Sequence, residues 1–219
     1  MIRADRLSKT FGNGFALSDV SFDVSHGEAV HVAGSAGSGR TTLLRILAAV
    51  VPPSSGRASI DGMDVVTQAF LVRRAVFLVG AAAGRLHDAT VSEYLRLIRT
   101  TRGVAHRTPP APRIDALMER GRLRPDAAVD ALTVEERRRL ELAAAVAAGA
   151  RVMLLDDPFA GAEADTTSID ALIADARRGG ATILAATATG APAPGFCDRT
   201  IVLDGGRLVT RAAREAVGA

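Results

Sequence analysis

The sequence predicts an α/β domain with a mostly parallel sheet, an N-terminal antiparallel β subdomain and a helical insertion. Three observations lead to this prediction. A buried apolar run at 28–33 passes through a glycine-rich stretch, 34–39, into a helical pattern over 41–50. Further apolar runs are continuous, as in strands that are buried on both faces of a parallel sheet. Only helical patterns occur between about residues 84 and 148.

The length sets the number of domains. At 219 residues the chain is long enough for one α/β domain with its own core and too short for two of that size. Hydrophobic residues make up 48% of the sequence, which is typical of a globular protein. We therefore expect one domain over 1–219, with an α/β core from 1–79 and 149–219 and a helical subdomain at 80–148.

The charge pattern gives no indication of nucleic-acid binding. The formal net charge is only +3, and Lys9 is the sole lysine among the basic residues. Arg137, Arg138 and Arg139 precede apolar residues at helical spacing, which predicts a solvated helix face. We expect no nucleic-acid partner.

Cysteine usage and hydropathy suggest where the protein acts. The single cysteine, Cys197, excludes an internal disulfide and fits a reducing compartment such as the cytoplasm. The N-terminus lacks the pattern of a signal peptide, and no uncharged apolar stretch reaches the ~18 residues of a membrane span. If the protein acts at a membrane, we expect another chain to cross it.

Turn signals and apolar runs give the order of the elements. Residues on either side of Gly12 and Gly14 alternate between apolar and polar, which predicts an antiparallel hairpin at the start. Buried strands are predicted at 75–79, 151–156, 182–186 and 200–203. Three prolines interrupt the helical patterns of the insertion, namely Pro109, Pro110 and Pro112.

The glycine-rich stretch matches the phosphate-loop pattern G-x-x-x-x-G-K-[ST] at every position except the lysine. It consists of Gly34, Ser35, Ala36, Gly37, Ser38, Gly39, Arg40 and Thr41, and Thr42 follows. Glycines let consecutive amides turn toward a phosphate, and the next helix directs its positive dipole end at the same anion. Thr41 would then offer its hydroxyl to Mg²⁺.

Arg40 replaces the lysine of that pattern. A guanidinium is cationic and binds phosphate bidentately, but it is larger and planar, whereas lysine supplies a compact point charge. The alternative is a glycine-rich turn that only joins a strand to a helix. The strand before it, the helix after it and the aspartate pair at 156 and 157 count against that alternative.

The order of the motifs resembles the ATP-binding subunits of ABC transporters over almost the whole chain. The stretches 7–12 (LSKTFG) and 17–22 (LSDVSF) are similar to the start of that family. The segments similar to its scaffold are 51–56, 60–62, 197–199 and 203–207. The resemblance implies a P-loop NTPase fold of the RecA-like type. It also implies that Phe11 stacks on adenine through its flat apolar face, and the alternative is a phenylalanine of the core.

Two aspartates end the apolar run at 151–156. The resemblance assigns Asp156 to the Walker B position, which holds Mg²⁺ through water at the end of a buried strand. It places Asp157 at the position of the catalytic glutamate. Because aspartate is one methylene shorter, its carboxylate is retracted by roughly 1 Å, which can lower the rate on the order of 100-fold. We expect Asp157 to be at most a weak base.

Three other positions depart from the family pattern. The glutamine that follows the strand at 75–79 in the family is replaced by Gly80, and the switch histidine is replaced by Ala188, just after the strand that begins near Thr182. Neither residue has a side chain that hydrogen-bonds. The aspartate of the family's D-loop appears as Glu163.

The signature motif is also altered. The family's usual Leu-Ser-Gly-Gly-Gln aligns with Leu132, Thr133, Val134, Glu135 and Glu136. In the family this segment faces the γ-phosphate of a nucleotide held by the opposite subunit. Glu135 and Glu136 bring negative charge to that surface, and Val134 blocks close backbone approach. Both halves of a shared site are therefore altered in this chain.

The resemblance implies an ATP-binding subunit with ATP and Mg²⁺ as cofactors, located at the inner face of the cell membrane. Its expected partners are an integral membrane transporter subunit, contacted through about residues 80–148, and a second nucleotide-binding domain in a homodimer or heterodimer. Because the lysine, glutamate, glutamine, signature and histidine are all replaced, we expect a pseudo-ATPase or a very slow ATPase. The alternative is a soluble module with the same fold that senses nucleotide or serves as a scaffold. The sequence lacks the guanine-binding pattern Asn-Lys-x-Asp, which argues against a GTPase.

Overall fold

The architecture comes from a computed structural model that describes residues 2–12, 14–80, 89–102, 112–162, 165–189 and 193–212. The strands are β1 (Ile2–Phe11), β2 (Gly14–Val24), β3 (Ala29–Gly34), β4 (Ser55–Ile60), β5 (Met63–Asp64), β6 (Val76–Val79), β7 (Val152–Asp156), β8 (Thr182–Ala188), β9 (Arg199–Asp204) and β10 (Arg207–Ala212). The α-helices are α1 (Arg40–Leu47), α2 (Ala69–Ala75), α3 (Val91–Thr101), α4 (Ile114–Arg120), α5 (Val134–Ala147) and α6 (Thr167–Arg178).

The N-terminal strands form an antiparallel sheet in the order β2-β1-β4-β5. The hairpin between β1 and β2 closes with Phe11 opposite Gly14, where the sequence predicts it. Register shifts along this hairpin mark bulges, which increase the local twist. The antiparallel β subdomain is thus confirmed.

The second sheet has the order β10-β9-β3-β8-β7-β6. Its strands run parallel except β10, which pairs antiparallel with β9. Because β3 lies between β8 and β9, the carboxyl ends of β3, β8 and β7 meet at one edge. Ligands of open parallel sheets bind at such an edge. The predicted α/β fold class is confirmed.

The parallel sheet separates two apolar cores, which explains the continuous apolar runs. One face of β3 carries Val30, which belongs to a cluster with Leu43 of α1 and the antiparallel sheet. The opposite face carries Ala29, which belongs to a cluster with Leu140 of α5 and Leu172 of α6. Successive residues of a strand point to opposite faces, so a strand buried on both sides is apolar throughout.

Helices fill the chain between β6 and β7, as far as the structure describes it. They are α3, α4 and α5, with a short 3₁₀ turn at Val129–Ala131. Pro112 precedes α4, whereas Pro109 and Pro110 lie outside the described residues. The division into a core and a helical subdomain at 80–148 stays a prediction. Among the described residues, no helix is long and apolar enough to span a membrane.

The helix after the glycine-rich stretch is shorter than predicted. The sequence pattern continues to residue 50, but α1 ends at Leu47. Ala49 has a left-handed backbone with φ 54°, and the N–H of Val50 donates to the Arg45 carbonyl at 2.9 Å. Hydrogen bonds of this kind satisfy the last carbonyls of a helix and end it.

The prediction of a solvated face at residues 137–139 is wrong. The side chains of Arg138 and Arg139 are only 13% and 11% exposed. Arg138 pairs with Glu141 at 3.0 Å and Arg139 with Glu135 at 3.4 Å, at helical spacings of three and four residues. These carboxylates compensate the positive charge, so the arginines lie against the domain instead of extending into water.

A buried histidine connects the central strands of the parallel sheet. His31 of β3 is 2% exposed. Its Nδ1 lies 3.2 Å from Oγ1 of Thr200, and its Nε2 lies 2.7 Å from Oγ1 of Thr187. Burial lowers the pKa of His31, and the positive charge of Arg40 lowers it further. The neutral imidazole is therefore the form that the fold accommodates.

His31 should make the fold less stable in mild acid. Because its folded pKa lies below the unfolded value of about 6.5, its contribution is complete above that pH and is lost as the pH falls below it. The loss reaches up to ~1.4 kcal/mol per pH unit. Urea unfolding of the wild type and of His31→Gln between about pH 8 and pH 5 measures the difference. Equal pH dependence in the two proteins would contradict this assignment.

Candidate nucleotide-binding site

The glycine-rich loop joins the carboxyl end of β3 to the start of α1. Gly37 and Gly39 have φ angles of 79° and 99°, a region that glycine adopts without strain. The N–H of Ser38 donates to the Ser35 carbonyl at 3.1 Å, which turns the loop back on itself. No side chain caps the start of α1, and its first turn contains no acidic residue. The amides of this helix end are available to an anion.

Two glycines of the loop are required by close neighbours. A Cβ on Gly34 would lie 2.3 Å from Oγ of Ser38 and 2.6 Å from the Leu203 carbonyl oxygen. A Cβ on Gly39 would lie 2.2 Å from the Ala16 carbonyl oxygen. The loop is therefore held against both β9 and β2, and a side chain at either glycine would displace it.

Two buried polar atoms at this loop have no hydrogen-bond partner among the described residues. They are Oγ of Ser38 and Nη1 of Arg40. Ser38 is 2% exposed, and a buried polar group without a partner costs about 1–3 kcal/mol. A phosphate oxygen would satisfy either group. This geometry fits an anion cradle better than a turn that only joins a strand to a helix.

Asp156 and Asp157 lie at the same edge of the sheet, but in different surroundings. Asp156 is the last residue of β7 and is half-buried, whereas Asp157 is exposed with a left-handed backbone of φ 48°. The N–H of Asp157 donates to the Ala186 carbonyl at 3.0 Å, which anchors the end of β7 to β8. Thr41 and Thr42 are half-buried in the first turn of α1.

The donor set fits Mg²⁺ bound together with a nucleotide. No group of three or more His, Cys, Asp or Glu residues that could hold a metal occurs among the described residues. Mg²⁺ is commonly held by one or two protein oxygens, with phosphate oxygens and water completing its shell. Thr41 and Asp156 are such oxygen donors.

Two of the altered positions lie at this edge. Gly80 directly follows β6, and Ala188 is the last residue of β8, not the residue after the strand as predicted. Ala188 is exposed and offers only a methyl group. The next residue, Thr189, donates its N–H to the Gly34 carbonyl at 2.9 Å. Glu163 lies outside the described residues.

Phe11 is a surface residue at the end of β1. It is 55% exposed, so the alternative of a core phenylalanine is wrong. The Nζ of Lys9 lies 4.9 Å from the centroid of its ring, a distance typical of a cation–π contact. Phe15, on the other strand of this hairpin, is 72% exposed and was not predicted from the sequence as a surface aromatic.

The segment aligned with the signature motif starts helix α5 with a capping box. The Oγ1 of Thr133 accepts the N–H of Glu136 at 3.2 Å, and Oε2 of Glu136 accepts the N–H of Thr133 at 2.9 Å. Hydrogen bonds from the backbone and hydroxyl of Thr133 lower the pKa of Glu136, so this carboxylate is anionic at neutral pH. Val134 beside it is 64% exposed. The helix end is thus occupied by its own negative charge.

With this geometry established, comparison with known proteins identifies the family. A family model described as ABC transporter matches residues 17–160. The chain belongs to the ABC transporter family. The matched region of this ABC protein includes the phosphate loop, the helices between β6 and β7, and the aspartate pair.

Sequence relatives also belong to this family. The daunorubicin resistance ATP-binding protein DrrA3 of Streptomyces coeruleorubidus is 33% identical over 221 residues, covering 95% of this chain and 66% of that protein. A probable ABC transporter ATP-binding protein of Azorhizobium caulinodans is 31% identical, covering 96% of this chain and 76% of that protein. This ABC chain therefore spans about two thirds of DrrA3.

A solved structure shares the fold. The dimeric structure of MJ0796, a bacterial ABC transporter cassette, superposes with a TM-score of 0.79 at 21% identity. The superposition covers 95% of this chain and 96% of that one.

Substitution at Gly39 should disturb the loop more than substitution at Gly37. Both glycines have positive φ, but a Cβ at Gly37 meets nothing within 4 Å, whereas one at Gly39 collides with the Ala16 carbonyl. Gly39→Ala should therefore cost about 1–3 kcal/mol more free energy of unfolding than Gly37→Ala. Urea unfolding of both variants measures the difference. Equal destabilisation would show that the close approach of β2 to the loop is wrong.

Proposed function

We propose that this ABC protein is the ATP-binding subunit of a transporter, binds ATP with Mg²⁺, and hydrolyses it very slowly or not at all. The observation that carries the proposal is the anion cradle between β3 and α1, with two buried polar atoms left without a partner. The altered groups around it support binding without efficient turnover.

The residues of the loop account for nucleotide binding. The loop amides and the start of α1 would surround the β- and γ-phosphates, and Arg40 would add a cation with several donors. Thr41 and Asp156 would hold the metal, which would neutralise negative charge on the phosphates. Phe11, exposed at the end of the neighbouring hairpin, offers a flat face for adenine.

The residues at the same edge of the sheet indicate why hydrolysis would be slow. Asp157 is exposed, and its carboxylate is one methylene shorter than the glutamate that activates water in the family. Ala188 and Gly80 provide no side-chain hydrogen bond to a phosphate, metal or water. Two of the usual electrostatic contacts to the transition state are missing, and each such contact is typically worth about 10²–10³ in rate.

Membership of the ABC family and the exposed apolar side chains support a proposal about partners. A second nucleotide-binding domain and a separate membrane protein would complete the transporter, with the chain at the inner face of the membrane. The MJ0796 cassette, which shares the fold, is dimeric. Large apolar side chains are exposed on α2 and α3, namely Phe70, Leu71 and Leu97. The Nη1 of Arg102, at the end of α3, donates to the carbonyls of Arg73 in α2 and Val76 in β6, which links the two helix ends.

One observation favours a second function. The start of α5 is capped by the carboxylate of Glu136, which would repel a phosphate held by another subunit, while Glu135 is paired with Arg139. A module that senses nucleotide or serves as a scaffold, without a transported substrate, would not need this surface.

ATP binding should depend on Arg40. We expect Arg40→Ala to weaken binding by about 10–100-fold, since a hydrogen bond to a charged group contributes about 1.5–3 kcal/mol. Isothermal titration calorimetry with and without Mg²⁺ measures the affinity. Gly39→Asp should abolish binding, whereas Arg113→Ala, which removes a side chain that is 87% exposed, should leave it unchanged. No binding by the wild type at millimolar ATP would contradict the proposal and favour a scaffold.

Turnover by the purified protein should be very slow. Compared with a typical enzyme rate of about 10 s⁻¹, we expect less than about 0.1 s⁻¹ in a phosphate-release assay. Rapid hydrolysis that disappears in Asp156→Asn would show that the altered positions still support catalysis.

A membrane partner should contact the exposed apolar side chains of α2 and α3. We expect a neighbouring gene for a polytopic membrane protein, and we expect that protein to co-purify with this chain. Leu97→Asp should weaken the complex, because it places a charge in the apolar contact. Val209→Asp is the matched control, since Val209 is 57% exposed on β10. Nucleotide binding without a membrane partner would favour the sensing module.

A further inference from the structure

A buried ion pair lies where α5 meets the ends of β6 and β7. Glu141 of α5 accepts the backbone N–H of Gly80 at 2.9 Å and Nη1 of Arg138 at 3.0 Å. The side chains of Glu141 and Arg138 are 4% and 13% exposed. Because Gly80 directly follows β6, this pair ties the helix to the edge of the sheet that carries Asp156.

Gly80 has no room for a side chain. Gly80 has φ 101°, and a Cβ there would lie 2.3 Å from the Asp156 carbonyl oxygen and 2.8 Å from Nη1 of Arg138. Both distances are shorter than any real Cβ contact. The Asp156 carbonyl at the end of β7 and the guanidinium of Arg138 therefore occupy the space that a side chain at Gly80 would need.

Electrostatics make this arrangement difficult to change. Burial raises the pKa of Glu141, while the N–H of Gly80 and the charge of Arg138 act in the opposite direction. Removing one member of a buried pair leaves an uncompensated charge in the interior, which is strongly unfavourable. The carboxylate thus holds the helix and the strand end together as long as Arg138 remains in place.

We propose that Arg138 and Glu141 are positioning residues for the metal side of the nucleotide site. They act through the backbone of Gly80 and Asp156 and fix the carboxylate of Asp156 relative to Thr41 on α1. The part of this proposal that concerns Mg²⁺ rests on the proposed function. Residues that orient a metal ligand without touching the metal commonly change metal affinity by about 10–100-fold when they are replaced.

The first test separates the metal side of the site from the phosphate loop. Glu141→Gln keeps an acceptor for the Gly80 N–H but removes the charge opposite Arg138. We expect the gain in ATP affinity that Mg²⁺ provides to fall about tenfold, while the affinity without Mg²⁺ changes less than about twofold. Calorimetric titrations with ATP, with Mg²⁺ or with a chelator, give both values. An unchanged gain would overturn the proposal.

Asp175→Asn is the matched control for a purely structural role. Asp175 of α6 is also a buried carboxylate, with Oδ2 at 2.6 Å from Nη1 of Arg120 on α4. This variant should lower the stability without changing the Mg²⁺ gain. If both variants change that gain equally, the effect is a general loss of stability and the proposal is wrong.

A second measurement needs no nucleotide. In hydrogen exchange of the free protein, Glu141→Ala should speed exchange in peptides spanning 76–80 and 152–157, and Asp175→Asn should not. Arg138→Lys keeps the charge and should show a smaller change than Glu141→Ala. If the wild type binds no ATP, the proposed function fails and the exchange result still decides the positioning role. Unchanged exchange at both strand ends in Glu141→Ala would refute it.

Discussion

The backbone of Ala16 makes the contact on which the geometry of the candidate nucleotide site depends. Its carbonyl oxygen lies 2.2 Å from where a Cβ of Gly39 would stand and 2.9 Å from where a Cβ of Gly206 would stand. The N–H of Ser18 donates to the Gly206 carbonyl at 2.8 Å. Strand β2 is therefore held between the phosphate loop and the turn from β9 to β10. Because glycines allow this approach, the antiparallel sheet keeps a fixed position and carries Phe11 with it.

Much of the fold could be predicted because its determinants are local. Apolar continuity indicated β3, β7, β8 and β9, and glycine spacing indicated the loop before α1. The end of α1 depends on the left-handed backbone of Ala49, which residue propensity does not reveal. The burial of Arg138 and Arg139 was missed because charge patterns alone do not show which carboxylates are buried beside them. The sequence did contain a relevant signal, since Glu141 lies three residues after Arg138.

The sequence predicted which residues form the candidate site better than it predicted how those residues are arranged. The residues of the phosphate loop follow from the motif. That Ser38 Oγ and Arg40 Nη1 are buried without a hydrogen-bond partner in the described part of the chain depends on the neighbouring strands, so only the structure reveals it. The capping box of Thr133 and Glu136 has the local pattern S/T-x-x-E, so the sequence contained enough information to find it. This capping box places the carboxylate of Glu136 in the first turn of α5. A carboxylate at the start of a helix interacts favourably with the positive end of the helix dipole, which would otherwise attract an anion.

The packing around Gly80 also restricts how this sequence can change over time. Any residue with a Cβ at this position would meet both the Asp156 carbonyl and the guanidinium of Arg138. A favourable substitution would need the backbone to leave its positive φ and the arginine to move in the same step. Any single substitution at this position is therefore expected to destabilise the ends of β6 and β7, whether or not ATP is hydrolysed. The glycine is thus required by its neighbours, and a larger residue could be accepted only together with changes at the positions that surround it.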